Sequence, residues 1–107
     1  MRILCWNING IRAAWKKGFP DWFSAEAPDI LCLQETKAQV EQLDHEILHF
    51  EDYKCYFNSA EKKGYSGVAI YTQHTPLNVQ NGLGDPYFDS EGRVIEMEFE
   101  KFVLFNV

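Results

Sequence analysis

Long apolar runs are absent from this chain of 107 residues. No stretch approaches the ~20 consecutive apolar residues that span a bilayer, and the amino terminus becomes polar at Asn7, too early for a signal peptide. Cysteine is also scarce: the three residues Cys5, Cys32 and Cys55 lie in strand-like apolar runs without the paired spacing of metal ligands. We therefore expect a soluble, intracellular protein with buried thiols and no disulfide framework.

Basic residues are in the minority, which argues mildly against a nucleic-acid partner. The chain carries 10 Lys and Arg residues against 16 Asp and Glu residues, for a net charge of -6. The cations are nevertheless segregated, because Arg2, Arg12, Lys16 and Lys17 lie in the first twenty residues with no acid among them. Such a stretch suits a local phosphate-binding edge, although a solvated face is the more common meaning of so short a run.

The apolar residues form short runs that predict an α/β domain. The first two predicted strands are apolar on both faces, and the sixth alternates apolar with mostly acidic side chains, as expected for one exposed face. Pro20 opens a predicted helix that ends before Pro28, and a second helix is predicted at 38–49. Because two helices cannot cover so many strands, we expect residues 1–107 to be part of a larger, truncated α/β domain. The predicted strands are 2–8, 29–34, 53–58, 66–72, 76–80, 94–100 and 102–107, and the last of them is expected to be a core strand.

Polar side chains follow the first two predicted strands. Asn7 and Asn9 project to one side at the carboxyl end of the first strand, and Glu35 lies at the corresponding end of the second. A carboxylate with amide oxygens is a small but suitable donor set for Mg²⁺, which keeps several of its own waters. The alternative is structural: the asparagines make turn hydrogen bonds, and Glu35 pairs with Lys37.

Four segments together resemble the exonuclease III and abasic-site endonuclease family. They occur in the order of that family and extend over essentially the whole chain, at residues 8–13, 28–37, 64–69 and 91–94. The resemblance implies a four-layer α/β sandwich, with two central β-sheets flanked by helices, that is incomplete here. Residues 1–107 would then be the amino-terminal part of one endonuclease/exonuclease/phosphatase domain.

The resemblance also implies roles for the polar residues at the strand ends. Glu35 corresponds to the main carboxylate ligand of a catalytic Mg²⁺, with Mn²⁺ as an alternative, and Asn9 to a residue that assists at the metal. Relatives often carry Asp at the position of Asn9, so this site has one less negative charge and should bind metal more weakly. Asn7 resembles the asparagine that orients a water-activating aspartate, which this chain does not contain.

DNA contacts are implied at two further places. Arg12, Ala13 and Lys17 correspond to residues beside the DNA backbone. Gly64, Tyr65 and Arg93 correspond to residues near phosphates or the minor groove. Without the resemblance, Tyr65 would be interpreted as a core aromatic that flanks a strand, and Arg93 as a surface cation among acids.

The implied activity is Mg²⁺-dependent hydrolysis of the phosphodiester 5' to an abasic site, with trimming of 3' ends. The implied partner is double-stranded DNA with abasic sites or blocked 3' ends, bound by a cytoplasmic, nucleoid-associated monomer. Two motifs that the family carries later in its sequence, an Asp-x-Asn and a final Asp-His pair, have no counterpart here, since Asp44-His45 lies in the middle of the chain. The chain alone is therefore expected to be inactive. Two alternatives stay open: a non-catalytic, truncated DNA-binding remnant, and a phosphatase or lipid phosphodiesterase of the same superfamily.

A second motif would indicate a different class of enzyme. His45, Glu46 and His49 match the H-E-x-x-H pattern of zinc proteases. On the predicted helix the apolar stripe lies on the opposite face, and no third ligand follows, so we interpret both histidines as solvated surface residues.

Overall fold

Two β-sheets form the centre of the chain, which a computed structural model describes over residues 1–107. The carboxyl-terminal third contains only one short helix, whereas the first half alternates helices with strands. In chain order the elements are β1 (Ile3–Asn7), α1 (Ile11–Lys16), α2 (Phe19–Glu26), β2 (Ile30–Gln34), a 3₁₀ turn (Val40–Gln42), α3 (His45–Leu48), β3 (Lys54–Asn58), β4 (Val68–Thr72), β5 (Asn78–Asn81), α4 (Pro86–Asp89), β6 (Ile95–Glu98) and β7 (Val103–Asn106).

The sheet topology brings several strand ends to one edge. The first sheet has the order β1-β2-β4-β3, with β1 and β2 parallel and β4 antiparallel to both of its neighbours. Its register aligns Asn7 with Gln34, Gln34 with Val68 and Val68 with Asn58. The second sheet is antiparallel, in the order β5-β6-β7, and pairs Ile95 with Asn106. The loops that follow β1 and β2 therefore lie beside the loop that precedes β4.

Two apolar cores result from the alternation of side chains along β2 and β4. Leu31, Leu33 and Tyr71 face the helices, in a core of 14 buried residues that includes the aromatic side chains of α2. Ile30 and Ile70 face the second sheet, in a smaller core of seven buried residues. Because β2 and β4 are covered on both faces, they are the most constrained strands of the fold.

A buried asparagine joins the two sheets. The Asn106 side chain, at the end of β7, donates Nδ2 hydrogen bonds to the carbonyls of Leu33 at 3.1 Å and Ala69 at 2.7 Å. Its Oδ1 accepts a hydrogen bond of 2.7 Å from Gln34 Nε2. Both polar atoms of this amide are thus used, in three hydrogen bonds, which offsets the cost of its burial and fixes the residue immediately before Glu35.

The strand predictions are confirmed in position, but two predictions of burial are wrong. β1 is an edge strand, so Trp6 is 43% exposed rather than buried on both faces, and the Cys5 thiol is also exposed. The last strand was expected to be a core strand, yet Phe105 is 52% exposed on the outward face of β7. Residues 95–100 behave as predicted, with Ile95, Met97 and Phe99 buried on one face, but Val94, expected on the face of the glutamates, is also buried.

The helix predictions were less accurate. The first predicted helix is confirmed as α2, but the helix predicted at 38–49 is interrupted, because Leu43 and Asp44 adopt extended backbone angles between the 3₁₀ turn and α3. α1 and α4 were not predicted. The combination of two sheets with helices matches the expected fold, but α4 buries no residue, so the fourth layer of the expected sandwich is not formed by residues 1–107.

No helix approaches a membrane span in length or apolar character, since the longest, α2, has eight residues. His45, on the four-residue α3, and His49, directly after it, are both exposed, and their ring centroids are stacked 4.3 Å apart. No group of three His, Cys, Asp or Glu side chains is arranged to hold a metal ion, so the H-E-x-x-H pattern lacks a third ligand.

The aromatic cluster between α2 and the first sheet should dominate stability. Phe23 is fully buried, with its ring centroid 4.6 Å from that of Phe50 and 4.5 Å from that of Tyr53. We expect Phe23→Ala to lower the free energy of unfolding by about 3–5 kcal/mol, because it removes this packing and leaves a cavity. Urea unfolding followed by circular dichroism measures the change. Val40→Ala, at an exposed position, should change it by less than about 0.5 kcal/mol; equal effects of the two substitutions would contradict this account.

Candidate metal and phosphate site

The loops after β1 and β2 are fastened to each other at the shared sheet edge. The Gly10 and Ile11 amides donate to the carbonyls of Glu35 and Thr36, at 2.7 and 3.0 Å. Asn9, Glu35 and Lys37 all adopt positive φ angles, between 47° and 54°, a conformation that costs energy for residues other than glycine. The neighbouring hydrogen bonds hold these residues in that conformation, so their side chains start from fixed positions.

The loop before β4 is attached to the same edge. The Thr36 and Lys37 amides donate to the carbonyls of Gly67 at 3.1 Å and Ser66 at 2.8 Å. A Cβ atom at Gly67 would collide with the Thr36 hydroxyl, so this close approach requires glycine. Three loops, at 8–11, 35–37 and 61–67, thereby form one surface.

Asn7 fixes one side of the Glu35 carboxylate. Its Nδ2 donates a hydrogen bond of 2.7 Å to Glu35 Oε2, while its Oδ1 accepts one of 3.1 Å from the Asn9 amide. The turn hydrogen bond considered as a structural alternative is therefore present, together with a contact to the carboxylate. The hydrogen bond from Asn7, followed by the nearby charge of Lys37, lowers the pKa of Glu35 below its usual value, which favours the ionised form.

The other carboxylate oxygen of Glu35 faces a cation. Lys37 Nζ lies 3.5 Å from Glu35 Oε1 and donates a hydrogen bond to Asn9 Oδ1. One positive charge thus contacts the two residues that the sequence assigned to a metal. A carboxylate oxygen and an amide oxygen are ligands that Mg²⁺ accepts, so the donor set fits this ion, although one carboxylate leaves most coordination positions to other ligands.

The exposed face of α1 carries cations beside this pair of oxygens. Ile11 and Trp15 are buried one helical turn apart, which turns Arg12 and Lys16 outward. A cleft of about 480 Å³, called the basic cleft below, is lined by Gly10, Arg12, Ala13, Lys16, Lys17 and Lys37. Arg2 was grouped with these cations in the sequence, but it lies at the opposite end of β1, where it pairs with Glu26 at 2.6 Å.

A second cleft, of about 320 Å³, lies on the other side of Glu35. Arg93 reaches it from the loop before β6, so that Asn7, Glu35 and Arg93 share one cavity wall. The positive charge of Arg93 is close enough to contribute to the lowered pKa of Glu35, after the larger effects of Asn7 and Lys37. The residues that line this cleft are Asn7, Gln34, Glu35, Ser66, Gly67, Val68, Arg93 and Val107.

Tyr65 belongs to a polar cluster rather than to the core. Its hydroxyl donates to Glu91 Oε1 at 2.7 Å and accepts from Arg93 Nη2 at 2.8 Å, while the Arg93 guanidinium lies 5.6 Å from the ring centroid. The hydrogen bond from Tyr65 is the main reason why the pKa of Glu91 is lowered. Gly92, between the two charged residues, packs so close to the backbone of Ala60 that a side chain would collide there. The cluster therefore fixes the loop at 61–67 against the loop that carries Arg93.

The sequence model of the endonuclease/exonuclease/phosphatase family matches residues 4–107, almost the entire chain. The chain belongs to this family. Within it, the exodeoxyribonuclease of Bacillus subtilis (strain 168) is 46% identical over 108 residues, which cover 100% of this chain and 42% of that protein. The DNA repair nuclease APEX1 of Danio rerio is 47% identical over 106 residues, 97% of this chain and 34% of that protein.

Solved structures of the same family share the fold. The structure of a 3' phosphatase from Neisseria, bound to a product DNA hairpin, matches with a TM-score of 0.82 and 28% identity, over 98% of this chain and 40% of that one. This chain therefore spans less than half the length of these relatives and of the Neisseria structure.

The predicted site residues of this family member fall into two adjacent groups. Asn7, Glu35 and Arg93 line one cleft, and Arg12, Ala13 and Lys17 line the other. Asn9 lies between the groups through its contact with Lys37, and Gly64, with φ 70°, is exposed next to Tyr65. The sequence placed Lys16 in the basic stretch and offered Lys37 as an ion-pair partner of Glu35, but it assigned neither of them, nor Glu91, to the functional site. Lys37 and Glu91 belong to the recognised motifs, which was the available signal for them.

The hydrogen bond from Asn7 leads to a prediction about Glu35. In Asn7→Ala the carboxylate loses its strongest donor, so we expect the pKa of Glu35 to rise toward the ordinary glutamate value. A ¹³C NMR titration of the Glu35 side-chain carboxyl group measures this directly. Asn78→Ala, at an exposed position on β5, is the matched control and should leave the pKa unchanged. A titration midpoint that stays the same in Asn7→Ala would show that this hydrogen bond is not the dominant cause.

Proposed function

We propose that the chain carries part of the active site of a Mg²⁺-dependent DNA-repair nuclease, which hydrolyses the phosphodiester 5' to abasic sites and trims 3' ends. One observation carries the proposal: Glu35 Oε1 and Asn9 Oδ1 face a single cation position, and this position adjoins a cleft lined by cations. A bound divalent ion in that position would neutralise charge on a phosphoryl group held in the cleft.

Each residue near that position has a proposed role. Glu35 acts as the main metal ligand and Asn9 as a weaker one, because an amide oxygen carries no net charge. The hydrogen bond from Asn7 to Glu35 supports a role for Asn7 in orienting the ligand, in addition to the proposed contact with an aspartate from elsewhere. Mn²⁺ has similar oxygen preferences and is the proposed alternative metal.

The cations and the loop residues would hold DNA without determining a sequence. Arg12 and Lys17 present charged donors for phosphates, and the small side chain of Ala13 lets a backbone approach α1 closely. Tyr65 and Arg93 form one hydrogen-bonded unit beside the Glu35 cleft, next to the exposed Gly64. This arrangement suits contacts to a second phosphate or to the minor groove.

The names of the relatives support the choice of substrate. They describe an exodeoxyribonuclease, a DNA repair nuclease and a phosphatase bound to a product DNA hairpin. We propose double-stranded DNA with abasic sites or blocked 3' ends as the partner, in a cytoplasmic, nucleoid-associated monomer. Residues 1–107 are proposed as the amino-terminal part of one such domain, so the active protein would draw further catalytic carboxylates from other residues.

A second candidate is a chain that binds DNA without cutting it. The candidate metal position has one carboxylate, and no cluster of three acids, cysteines or histidines completes it. For residues 1–107 alone we therefore expect binding to duplex DNA that weakens with salt, without cleavage. Mg²⁺-dependent nicking by the isolated chain would contradict this candidate.

The enzymatic proposal is tested with the gene product that contains residues 1–107. It should nick a duplex with one abasic site in Mg²⁺, leave inositol phosphates intact and lose activity in EDTA. Glu35→Ala should reduce the nicking rate by about 10²-fold or more, because metal stabilisation of the transition state is worth several kcal/mol. Glu98→Ala, on the exposed face of β6, is the control for loss of an acid. Undiminished nicking by Glu35→Ala would refute the metal assignment, and hydrolysis of inositol phosphate in place of DNA would favour a phosphatase.

The basic cleft is tested by binding, with the chain itself. Arg12→Ala should weaken affinity for duplexes of different sequence to a similar extent, because phosphate contacts are independent of the bases. The slope of log affinity against log salt should fall by about 0.9 for the lost contact. Fluorescence anisotropy at several salt concentrations measures both. Lys54→Ala, an exposed cation at the opposite edge of the sheet, should have little effect, and a sequence-dependent loss in Arg12→Ala would contradict the role.

A further inference from the structure

We propose that Lys37 and the divalent ion exclude one another at Glu35 and Asn9, and that the displaced Lys37 ammonium enters the basic cleft as an additional phosphate ligand. Metal binding and DNA-backbone binding would then strengthen each other through one side chain. The inference rests on the proposed function, and it assigns to Lys37 a coupling role that the motifs do not indicate.

The contacts of Lys37 show what it competes for. Its Nζ hydrogen-bonds to Asn9 Oδ1 and lies 3.5 Å from Glu35 Oε1, the oxygen that Asn7 leaves free. A divalent ion bound by the same two oxygens would lie within about 4 Å of the ammonium, where like charges repel strongly. The two cations therefore cannot occupy the site together.

The amide at position 9 makes this competition sharper. Glu35 is the only formal negative charge in direct contact with Lys37, because Asn9 is neutral. The Lys37 ammonium balances that charge completely, so a divalent ion gains full attraction to the site only after the ammonium leaves. With a second carboxylate at position 9, one negative charge would remain even with the lysine in place.

Only the side chain of Lys37 needs to move. Two hydrogen bonds hold the backbone of Lys37. The Lys37 amide donates to the Ser66 carbonyl at 2.8 Å, and the Lys37 carbonyl accepts from the Arg12 guanidinium at 3.4 Å. The side chain is 39% exposed, and Lys37 already lines the basic cleft with Arg12, Lys16 and Lys17. Rotation about its flexible side-chain bonds can therefore carry the ammonium from Asn9 into the cleft.

The exchange predicts reciprocal coupling. A metal that releases Lys37 adds one cation to the basic cleft, and a phosphate that holds Lys37 in the cleft frees Glu35 and Asn9 for the metal. By linkage, each ligand must raise the affinity of the other by the same factor. A purely structural Lys37 would produce no such factor.

The first measurement uses the 107-residue chain and Mn²⁺ alone. Paramagnetic broadening of the Glu35 and Asn9 amide signals in NMR reports occupancy of the site. Lys37→Met should bind Mn²⁺ about 5-fold or more tightly than the unaltered chain, within the usual range of coupling between ligands. Lys16→Met removes another cation of the same cleft that has no contact with Glu35 or Asn9, and it should change Mn²⁺ affinity by less than roughly 2-fold.

The second measurement adds a duplex without abasic sites, at constant ionic strength. Mn²⁺ should strengthen DNA binding by the unaltered chain and by Lys16→Met, and this gain should be smaller in Lys37→Met, where only the direct attraction between the ion and the phosphates remains. Lys37→Gln repeats both measurements, so that a folding defect of one variant does not decide the result. The NMR spectrum itself reports whether each variant is folded.

The outcomes separate the two proposals. If Mn²⁺ broadens the Glu35 signal in every chain with equal affinity, the exchange is overturned and the metal site stands. If the gain in DNA affinity is as large in Lys37→Met as in the unaltered chain, the coupling role is likewise overturned. If no chain shows saturable broadening near Glu35, the proposed metal site fails and the inference fails with it.

Discussion

The parallel pairing of β1 with β2 is the constraint on which the rest of the site depends. It aligns Asn7 with Gln34, so the residues that leave both strands emerge side by side. Backbone hydrogen bonds from Gly10 to Glu35 and from Thr36 to Gly67 then join the emerging loops to the loop before β4. Glu35 and Lys37 project from this fastened edge, and α1, which carries Arg12 and Lys16, begins at it. The positive φ angles of its loop residues persist because the hydrogen bonds around them are satisfied.

The sequence predicted those parts of the fold that depend on local periodicity. All seven strands lie where alternation or apolar runs placed them, because β-strands leave a direct pattern in sequence. Burial was harder to predict, since Trp6 and Phe105 are apolar but lie on an edge strand and on an outward face. The helix predicted at 38–49 is wrong, although its apolar stripe is real, because Leu43 and Ile47 are buried. The backbone is extended at Asp44, and this interrupts the helix. A stripe of this kind records which residues are buried, and a folded turn can bury them as well as a helix.

In the candidate site, too, the sequence predicted some positions and could not predict others. That Asn7 and Glu35 meet at one edge followed from strand alternation and strand order alone. Asn9 arrives there by another route, because β1 ends at Asn7 and a left-handed backbone turn positions the later residue. The pairing of Lys37 with Glu35 was one of the two interpretations of the sequence, and it is present. The contacts of Lys37 with Asn9 and of Glu91 with Tyr65 could not be predicted, since each joins two loops that are 28 or 26 residues apart in sequence. Such contacts leave no periodic pattern, and only the resemblance drew attention to the segments that contain them.

The net charge of the chain is a poor guide to its phosphate-binding surface, because it counts cations that are already neutralised together with cations that are free. Arg2 is paired with Glu26, and Arg93 with Glu91, so neither contributes a full charge to its surroundings. No acid lies in ion-pair contact with the three cations on or directly after α1, so their field extends into the basic cleft: Arg12, Lys16 and Lys17. Within a Debye length of about 8 Å such a local excess acts on a phosphate regardless of the net charge of the molecule. Lys37 belongs to either group according to where its ammonium lies, so its position decides how much of the phosphate-binding charge is available.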